Sequence, residues 1–355
     1  GIRALEQMGL GPGLASVPAY RPDRAELFLN RRAVLEAVFD PDFFEGRPPT
    51  ALSQPALLEM IVAEGEKSGR LHFHRGASVK DVLRDGERVV GVRARTEEGE
   101  LEVRGDLVVG TDGRASIIRR RTPMTANATD LPMDIIWCKV PCPEDYTGIR
   151  AYFGRAHLLI AYRSWDGNLQ VAWAILKGSF GELRRQGAER WVADMADHVS
   201  PDLAEILRTS EELLGHPFLL DTLSDCVTSW TAPGALVLGD AAHTMSPVGG
   251  QGLNIALRDA IVAANQLVPV LSAPEPTADA VDAAARATEA ERRPEVDEVQ
   301  RFQAIPPRVI LASAWWGEPV RRLVGLLLRT RFGQGLALRN AGLFLFGSAE
   351  VELRV

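Results

Sequence analysis

The amino-acid sequence predicts an α/β fold in which a sheet-rich segment interrupts a framework of buried strands, glycine-rich loops and helices. Three observations support this prediction. A short apolar strand at 235–238 leads through a glycine-rich loop into apolar residues at helical spacing up to Leu267. A second apolar strand, at 107–109, ends in Gly-Thr-Asp-Gly. From about 130 to 225, longer strands with aromatic side chains follow one another.

Composition limits the class of protein. The 355 residues are 46% apolar and 25% charged, so the chain can bury the core of two domains or of one large domain with an insert. A net charge of -7 argues against a nucleic-acid partner. Three cysteines without metal-binding spacing fit a reducing, cytoplasmic compartment. Neither a signal peptide nor a run of ~18 apolar residues is visible.

The first hundred residues alternate helix and strand signals. Residues 1–20 predict one amphipathic helix that ends at the glycine cluster 9–13, and 21–52 predict a strand and an irregular loop. These glycines follow no strand, so they are not a dinucleotide-binding fingerprint. Ser53 and Pro55 begin a helix that ends near Gly69. Strands are then expected at 71–74, 77–83, 88–94 and 100–104, and we expect no metal site at His72 and His74.

The aromatic segment contains four predicted strands. They cover 135–140, 149–153, 158–162 and 169–176, with helices at 181–198 and 201–213. Its aromatic side chains suit either a sheet that lines an apolar pocket or plain sheet-core packing, and the sequence leaves both readings open. The aromatic residues of this segment are Trp137, Tyr152, Phe153, Tyr162, Trp165 and Trp173.

Two loops carry the strongest ligand signals. After the strand at 235–238, Asp240 and the dense glycines Gly249, Gly250 and Gly252 precede a helix, an order that places backbone N–H groups and a positive dipole end beside a ligand. An ordinary crossover with tight turns is the alternative. Asp112-Gly113 alone suits a hairpin turn, but it too follows an apolar strand and precedes an arginine-bearing segment.

Together these residues resemble the FAD-dependent monooxygenases of the para-hydroxybenzoate hydroxylase type, the class A aromatic hydroxylases. The resemblance spans nearly the whole chain. Asp112-Gly113-Arg-Ala-Ser116-x-x-Arg119 is similar to the Asp-Gly motif of that family, Ser53-Gln54-Pro55 to its ribityl-side segment and the Glu291-to-Pro294 segment to its later helix. The family's second flavin motif is matched by Gly239, Asp240, Pro247, Gly249, Gly250, Gln251, Gly252, Leu253 and Asn254.

The resemblance implies roles for these residues. Asp240 and Gln54 are expected to approach flavin hydroxyls, the loop 247–254 to pass along the isoalloxazine, and Asp112 with Gly113 to serve the pyrophosphate region. Helix 253–267 would direct its N-terminus at O2 of the ring, where reduced flavin carries negative charge. His243 is expected to be structural rather than catalytic, and no catalytic side chain is assigned.

The activity implied is that of a flavin-dependent monooxygenase. NAD(P)H reduces FAD, O₂ then gives a C4a-hydroperoxide, and one oxygen atom enters an aromatic or other electron-rich small molecule. The alternatives are an FAD-dependent halogenase, epoxidase or reductase on the same scaffold, or a non-catalytic flavin-binding relic. A halogenase is disfavoured because its Trp-x-Trp-x-Ile-Pro motif and catalytic lysine are absent near Trp137.

The family's first motif, a strand, GxGxxG and a helix, is missing from this sequence. Gly1 to Leu10 are similar to the helix that follows that unit, so we expect a truncated flavoprotein that lacks the ADP cradle and binds FAD weakly. The predicted layout is a Rossmann-like FAD-binding domain (1–125 and 226–300), an inserted mixed or antiparallel substrate sheet (126–225), and a C-terminal helical segment (301–355). That tail carries Trp315, Trp316 and several arginines; it suits a docking helix better than membrane contact.

Overall fold

The computed structural model of the protein describes residues 1–29, 31–129, 131–154, 157–214, 217–305, 317–328, 330, 332–333 and 347–355. Among these residues helices and strands are interspersed, and the strands form five sheets of two to seven strands. This mixture confirms the predicted α/β class. The division into domains at 125, 225 and 300 stays a prediction.

The N-terminal part begins with two short helices rather than the single predicted one. Pro12 lies in the first turn of α2, where its missing N–H is tolerated. The same proline would break a continuous helix, so α1 ends before it. Ser53 caps α3 as predicted, its hydroxyl accepting the N–H of Ala56 at 3.4 Å. The elements are α1 (Ile2–Gln7), α2 (Gly11–Leu14), β1 (Ala19–Tyr20), β2 (Arg24–Leu29), β3 (Arg32–Val38), β4 (Ala51–Leu52) and α3 (Gln54–Glu66).

The next segment forms an antiparallel three-stranded sheet, as the hairpin signals predict. The strand predicted at 71–74 is wrong: this stretch pairs with no other described strand, and extended backbone becomes a strand only through a hydrogen-bonded neighbour. The elements are β5 (Ser78–Asp85), β6 (Arg88–Thr96), β7 (Gly99–Arg104), β8 (Val108–Gly110), α4 (Ile117–Arg120) and β9 (Ala126–Thr129).

A mixed seven-stranded sheet confirms the predicted aromatic strands. Its order is β14-β10-β13-β12-β11-β2-β3, and all neighbours are antiparallel except β11 and β2. The N-terminal hairpin β2–β3 therefore extends this sheet, a pairing the sequence did not reveal. The new strands are β10 (Met133–Val140), β11 (Ile149–Gly154), β12 (His157–Arg163), β13 (Leu169–Leu176) and β14 (Phe218–Leu220).

The two faces of this sheet do different things, since side chains alternate along a strand. One face, with Tyr152 and Trp173, packs on the helices and forms the largest core of this region. The other face carries Trp137, Leu158 and Ile160, which pack against the same buried apolar cluster as Val248 of the glycine-rich loop. The helices are α5 (Phe180–Gln186), α6 (Ala188–Ala196), α7 (Pro201–Thr209) and α8 (Glu211–Leu214).

The remaining elements surround a second core. Strand β17 pairs antiparallel with β16 and parallel with β8, and the long helices α9 and α10 pack beside them. These elements are β15 (Ser224–Val227), β16 (Thr231–Ala232), β17 (Ala235–Val237), two 3-10 turns (Gly239–Ala241 and Val248–Gly250), α9 (Gly252–Leu271), α10 (Ala278–Gln303) and α11 (Gly317–Leu328).

The predicted helical tail is only partly described. Helix α11 agrees with it, but residues 347–355 are not helical and instead bond to α1 and α9 through Gln7 and Asn265. Trp315 and Trp316 lie outside the described residues. Among the residues that are described, no helix has both the length and the apolar character that crossing a membrane requires.

Candidate functional site

The two predicted ligand loops lie at one edge of the same sheet. Strands β8 and β17 run parallel, with Val109 opposite Leu236, so their carboxyl ends meet. Asp112-Gly113 follows the first strand and Gly239-Asp240 the second. Residues more than a hundred positions apart in sequence are thus brought together where α/β sheets commonly bind ligands.

Asp112 caps a helix instead of forming a hairpin turn. One of its carboxylate oxygens accepts the N–H groups of Ile117 at 2.6 Å and Ile118 at 3.4 Å, which begin α4. Ser116 accepts the N–H of Arg119 in the same turn. The loop that contains Gly113 is therefore held against its own helix.

Arg119 links the two loops to each other. Its guanidinium donates to the carbonyl oxygens of Arg114 at 2.6 Å and Ala241 at 3.4 Å, and it pairs with the buried carboxylate of Asp225 at 3.2 Å. Arginine suits this position because its planar group carries several donors in fixed directions. The sequence placed Arg119 within a motif but gave no hint of these partners.

The turn at Gly239 brings the strand close to α9. Its φ of +57° favours glycine, and a Cβ here would lie 3.3 Å from the Cβ of Ala256. The next side chain, Asp240, remains 40% exposed, with the guanidinium of Arg114 3.6 Å from its carboxylate. A carboxylate that is fixed at the sheet edge but still accessible can accept hydrogen bonds from a ligand's hydroxyl groups.

A buried ionic network supports this turn from below. Asp259 of α9 accepts the N–H of Gly239 at 3.1 Å, lies 2.6 Å from Nε2 of His243 and pairs with Arg292 of α10 at 2.8 Å. Arg292 also contacts Glu295, and all four side chains of this network are almost fully buried. Burial acts to raise the pKa of Asp259, but His243 and Arg292 outweigh it and hold this pKa below its ordinary value.

Sequence reasoning missed most of this network. His243 was expected to be structural, and its contact with Asp259 fits that role. Asp259 and Glu295 belong to none of the sequence motifs. The available signal was a carboxylate among the apolar residues of a helix, since a buried charge needs a partner.

A cavity of about 780 Å³ lies beside the glycine-rich loop. Predicted site residues that line it are Gln54, Gly249, Gly250, Gln251, Leu253 and Asn254. It is also bounded by α1, the loop 44–50, Tyr162 and residues 347–351. The other predicted residues do not line it: Asp112, Gly113, Gly239, Asp240, Pro247 and Gly252.

The loop and helix α9 give this cavity a polar wall. Gly249 and Gly250 adopt φ values of +79° and +63°, which turn the backbone so that α9 begins at Gly252, beside the cavity. The unpaired N–H groups and the positive dipole end of a 20-residue helix thus lie next to it. This wall can hold a planar ligand that carries negative charge.

Comparison with known proteins agrees with this geometry. A family model described as "FAD binding domain" matches residues 1–302. The chain is 29% identical to 6-methylpretetramide 4-monooxygenase of Streptomyces rimosus over 78% of its own length and 65% of that protein. It is 28% identical to kynurenine 3-monooxygenase of Stenotrophomonas maltophilia over 69% of its own length and 53% of that protein. The chain thus spans only about half to two thirds of these relatives.

Solved structures show the same fold. PqsL of Pseudomonas aeruginosa, in complex with 2-aminobenzoylacetate, superposes with a TM-score of 0.76 at 18% identity, covering 95% of this chain and 86% of that one. HpxO of Klebsiella pneumoniae, complexed with FAD and uric acid, gives a TM-score of 0.74 at 17% identity, covering 98% and 86%. At such low identity the likeness concerns the fold.

Proposed function

Because this chain belongs to the FAD binding domain family, we propose that it is a flavin-dependent monooxygenase that hydroxylates an aromatic or other electron-rich small molecule. The observation that carries this proposal is the cavity between the loop 247–254 and Gln54, beside an apolar sheet face. When bound, FAD accepts electrons from NAD(P)H and delivers one oxygen atom of O₂ to the substrate. Relatives named as monooxygenases of kynurenine and of 6-methylpretetramide support this reaction class.

The residues present suit the isoalloxazine end of FAD. The backbone at Gly249 and Gly250 has no side chain that would keep a flat ring away from the loop. We assign to the N-terminus of α9 the task of stabilising negative charge on the reduced ring. Gln54 borders the same cavity and is assigned to the ribityl side chain.

The sheet edge suits the polar chain of the cofactor. We assign Asp240 to ribityl hydroxyl groups, because its carboxylate is exposed and held beside Arg114. Asp112 and Gly113 are assigned to the pyrophosphate side through their backbone, since the Asp112 carboxylate is already engaged by α4. No GxGxxG segment for the ADP half is present in this sequence.

We assign to the apolar sheet face the exclusion of water from the site. Trp137, Leu158 and Ile160 pack against the same buried apolar cluster as Val248, so the part of the sheet nearest the loop is apolar. Such a wall favours planar apolar substrates and limits the access of water to the reaction. We further propose a cytoplasmic location, since Cys138, Cys142 and Cys226 are free thiols.

The test is an assay of the purified protein with FAD, NADH or NADPH, isotopically labelled O₂ and three candidate aromatics: kynurenine, anhydrotetracycline and p-nitrophenol. We expect at least one aromatic to stimulate NAD(P)H oxidation and to acquire one labelled oxygen atom. Oxidation that no aromatic stimulates, with flavin bound, would favour a non-catalytic flavin-binding relic. Incorporation of halide in place of oxygen would favour a halogenase.

A further inference from the structure

The last residue of α10, Gln303, lies buried beside the glycine-rich loop. Its carboxamide Nε2 donates to the carbonyl oxygen of Val248 at 2.8 Å. One turn earlier in the same helix, Gln300 donates to the carbonyl oxygens of Asp225 at 2.9 Å and Thr244 at 3.0 Å. The end of α10 therefore holds the chain before and within this loop through two carboxamides.

The oxygen atom of the Gln303 carboxamide has no comparable role. Its Oε1 is buried and accepts no hydrogen bond from any described residue. A buried acceptor without a donor destabilises a fold, and an apolar side chain of similar length would fill this space without that loss. What glutamine adds at this position is its Nε2 donor, so the hydrogen bond to Val248 is the contact that needs a reason.

The carbonyl groups of the turn 247–249 are all engaged within the protein. The carbonyl oxygen of Pro247 accepts the N–H of Gly250 at 3.0 Å, and that of Gly249 accepts Nε2 of Gln251 at 3.1 Å. The third, of Val248, is the one that α10 holds. By contrast, the N–H of Gly249 has no partner among the described residues. The turn thus keeps its acceptors occupied and leaves a donor free.

The hydrogen bond from Gln303 also sets the direction of this free donor. Val248 and Gly249 share one peptide group, and because that group is planar and trans, its C=O and N–H point in opposite directions. Gln303 and Val248 lie outside the cavity lining, whereas Gly249 is part of it and is exposed. With the carbonyl group directed at α10, the N–H of Gly249 is turned away from that helix.

From these contacts, and resting on the proposed function, we propose that Gln303 is a positioning residue for the flavin. By holding the Val248 carbonyl group at α10, it keeps the N–H of Gly249 directed at the bound ring and prevents a carbonyl oxygen from facing that ring. A fixed donor in this place stabilises negative charge, which the reduced ring carries and the oxidised ring lacks. Gln303 therefore favours the binding of reduced FAD over oxidised FAD.

The experiment compares the wild type with Gln303→Met, which keeps the length of the side chain but removes the Nε2 donor. Gln300→Met is the matched control, because it removes a carboxamide from the same end of α10 but releases Asp225 and Thr244 instead of Val248. FAD is the probe. Fluorescence quenching measures the affinity for oxidised FAD, and the midpoint potential of the bound flavin against a reference dye then gives the affinity for reduced FAD.

We expect Gln303→Met to bind oxidised FAD as the wild type does and reduced FAD roughly three- to tenfold more weakly, since one donor to a charged group is misdirected. The midpoint potential of the bound flavin then falls by about 15–30 mV, because a tenfold change in a two-electron equilibrium corresponds to about 30 mV. Gln300→Met should unfold at lower urea concentration than the wild type without a change in the ratio of the two affinities. Gln303→Leu, a second apolar substitution, should repeat the result of Gln303→Met.

Four outcomes would overturn the inference. An unchanged affinity ratio in both Gln303 variants, while the wild type binds FAD, contradicts this inference alone. An equal fall of the ratio in Gln300→Met contradicts it too, because any loosening of the loop would then have the same effect. Failure of both Gln303 variants to fold would show that Gln303 serves the fold alone. A wild type that binds FAD in neither form contradicts both this inference and the proposed function.

Discussion

Individual side chains hold the loops of the site in place. Arg119 joins the Asp112 loop to the Gly239 turn through two carbonyl oxygens and Asp225. Its presence in a motif was visible in the sequence, but its partners Ala241 and Asp225 were not, since they lie more than a hundred residues away. Local signals such as the Ser53 cap were predicted correctly because cap and helix are neighbours in the chain.

The histidine at the start of β12 makes stability depend on pH. His157 is buried, accepts the indole N–H of Trp173 at 3.1 Å and stacks on His198. Burial, aided by His198, lowers its pKa to about 3. In the unfolded chain the pKa of this histidine is about 6.5. As the pH falls below that pKa, the unfolded chain therefore takes up a proton on this side chain before the folded protein does. The stability that neutral His157 contributes is complete above about pH 6.5 and is lost towards about pH 3.

We predict that this histidine alone removes roughly 1.4 kcal/mol of unfolding free energy between about pH 7.5 and about pH 5.5. His157→Gln keeps an acceptor for Trp173 but does not titrate, so its loss over the same interval should be smaller by that amount. Urea unfolding at both pH values measures the difference. An equal loss in both proteins would show that His157 is not held neutral.

At the scale of elements, α9 connects the cavity to the core. Its N-terminus borders the cavity, and about two turns later Asp259 supports the Gly239 turn and pairs with Arg292 of α10. Apolar spacing was enough to predict the helix from residue 253. The same spacing could not reveal that Asp259 faces inward, because a lone acidic residue on a helix is usually solvated.

We predict that Asp259→Asn lowers the free energy of unfolding by roughly 3–5 kcal/mol, since it removes one of the two buried carboxylates that pair with the buried guanidinium of Arg292 and leaves only Glu295. Flavin affinity should also fall, because the Gly239 turn loses its anionic acceptor. Glu298→Gln, on an exposed part of α10, is the control. Thermal unfolding with and without FAD measures both effects. A variant as stable as the control would mean that the network does not hold the turn.

At the scale of the whole molecule, the candidate site combines residues from two different sheets. The mixed sheet supplies the apolar wall, and the β8–β17 region supplies the loops and α9. Alternating and continuous apolar residues were enough to predict that most of these strands exist. They could not predict which strands pair, because β2 pairs with β11 across more than a hundred residues. For the same reason, 71–74 has a strand-like sequence without a partner among the described residues.

The most direct test of the central claim is FAD binding to the purified protein and to Asp240→Ala. We predict binding at least tenfold weaker in Asp240→Ala, since the Asp240 carboxylate is assigned charge-assisted hydrogen bonds to flavin hydroxyl groups. Asp145→Ala, which removes an exposed carboxylate from the sheet region, should bind FAD as the wild type does. Equal FAD affinity in Asp240→Ala and the wild type would contradict the assignment of this loop as the flavin site.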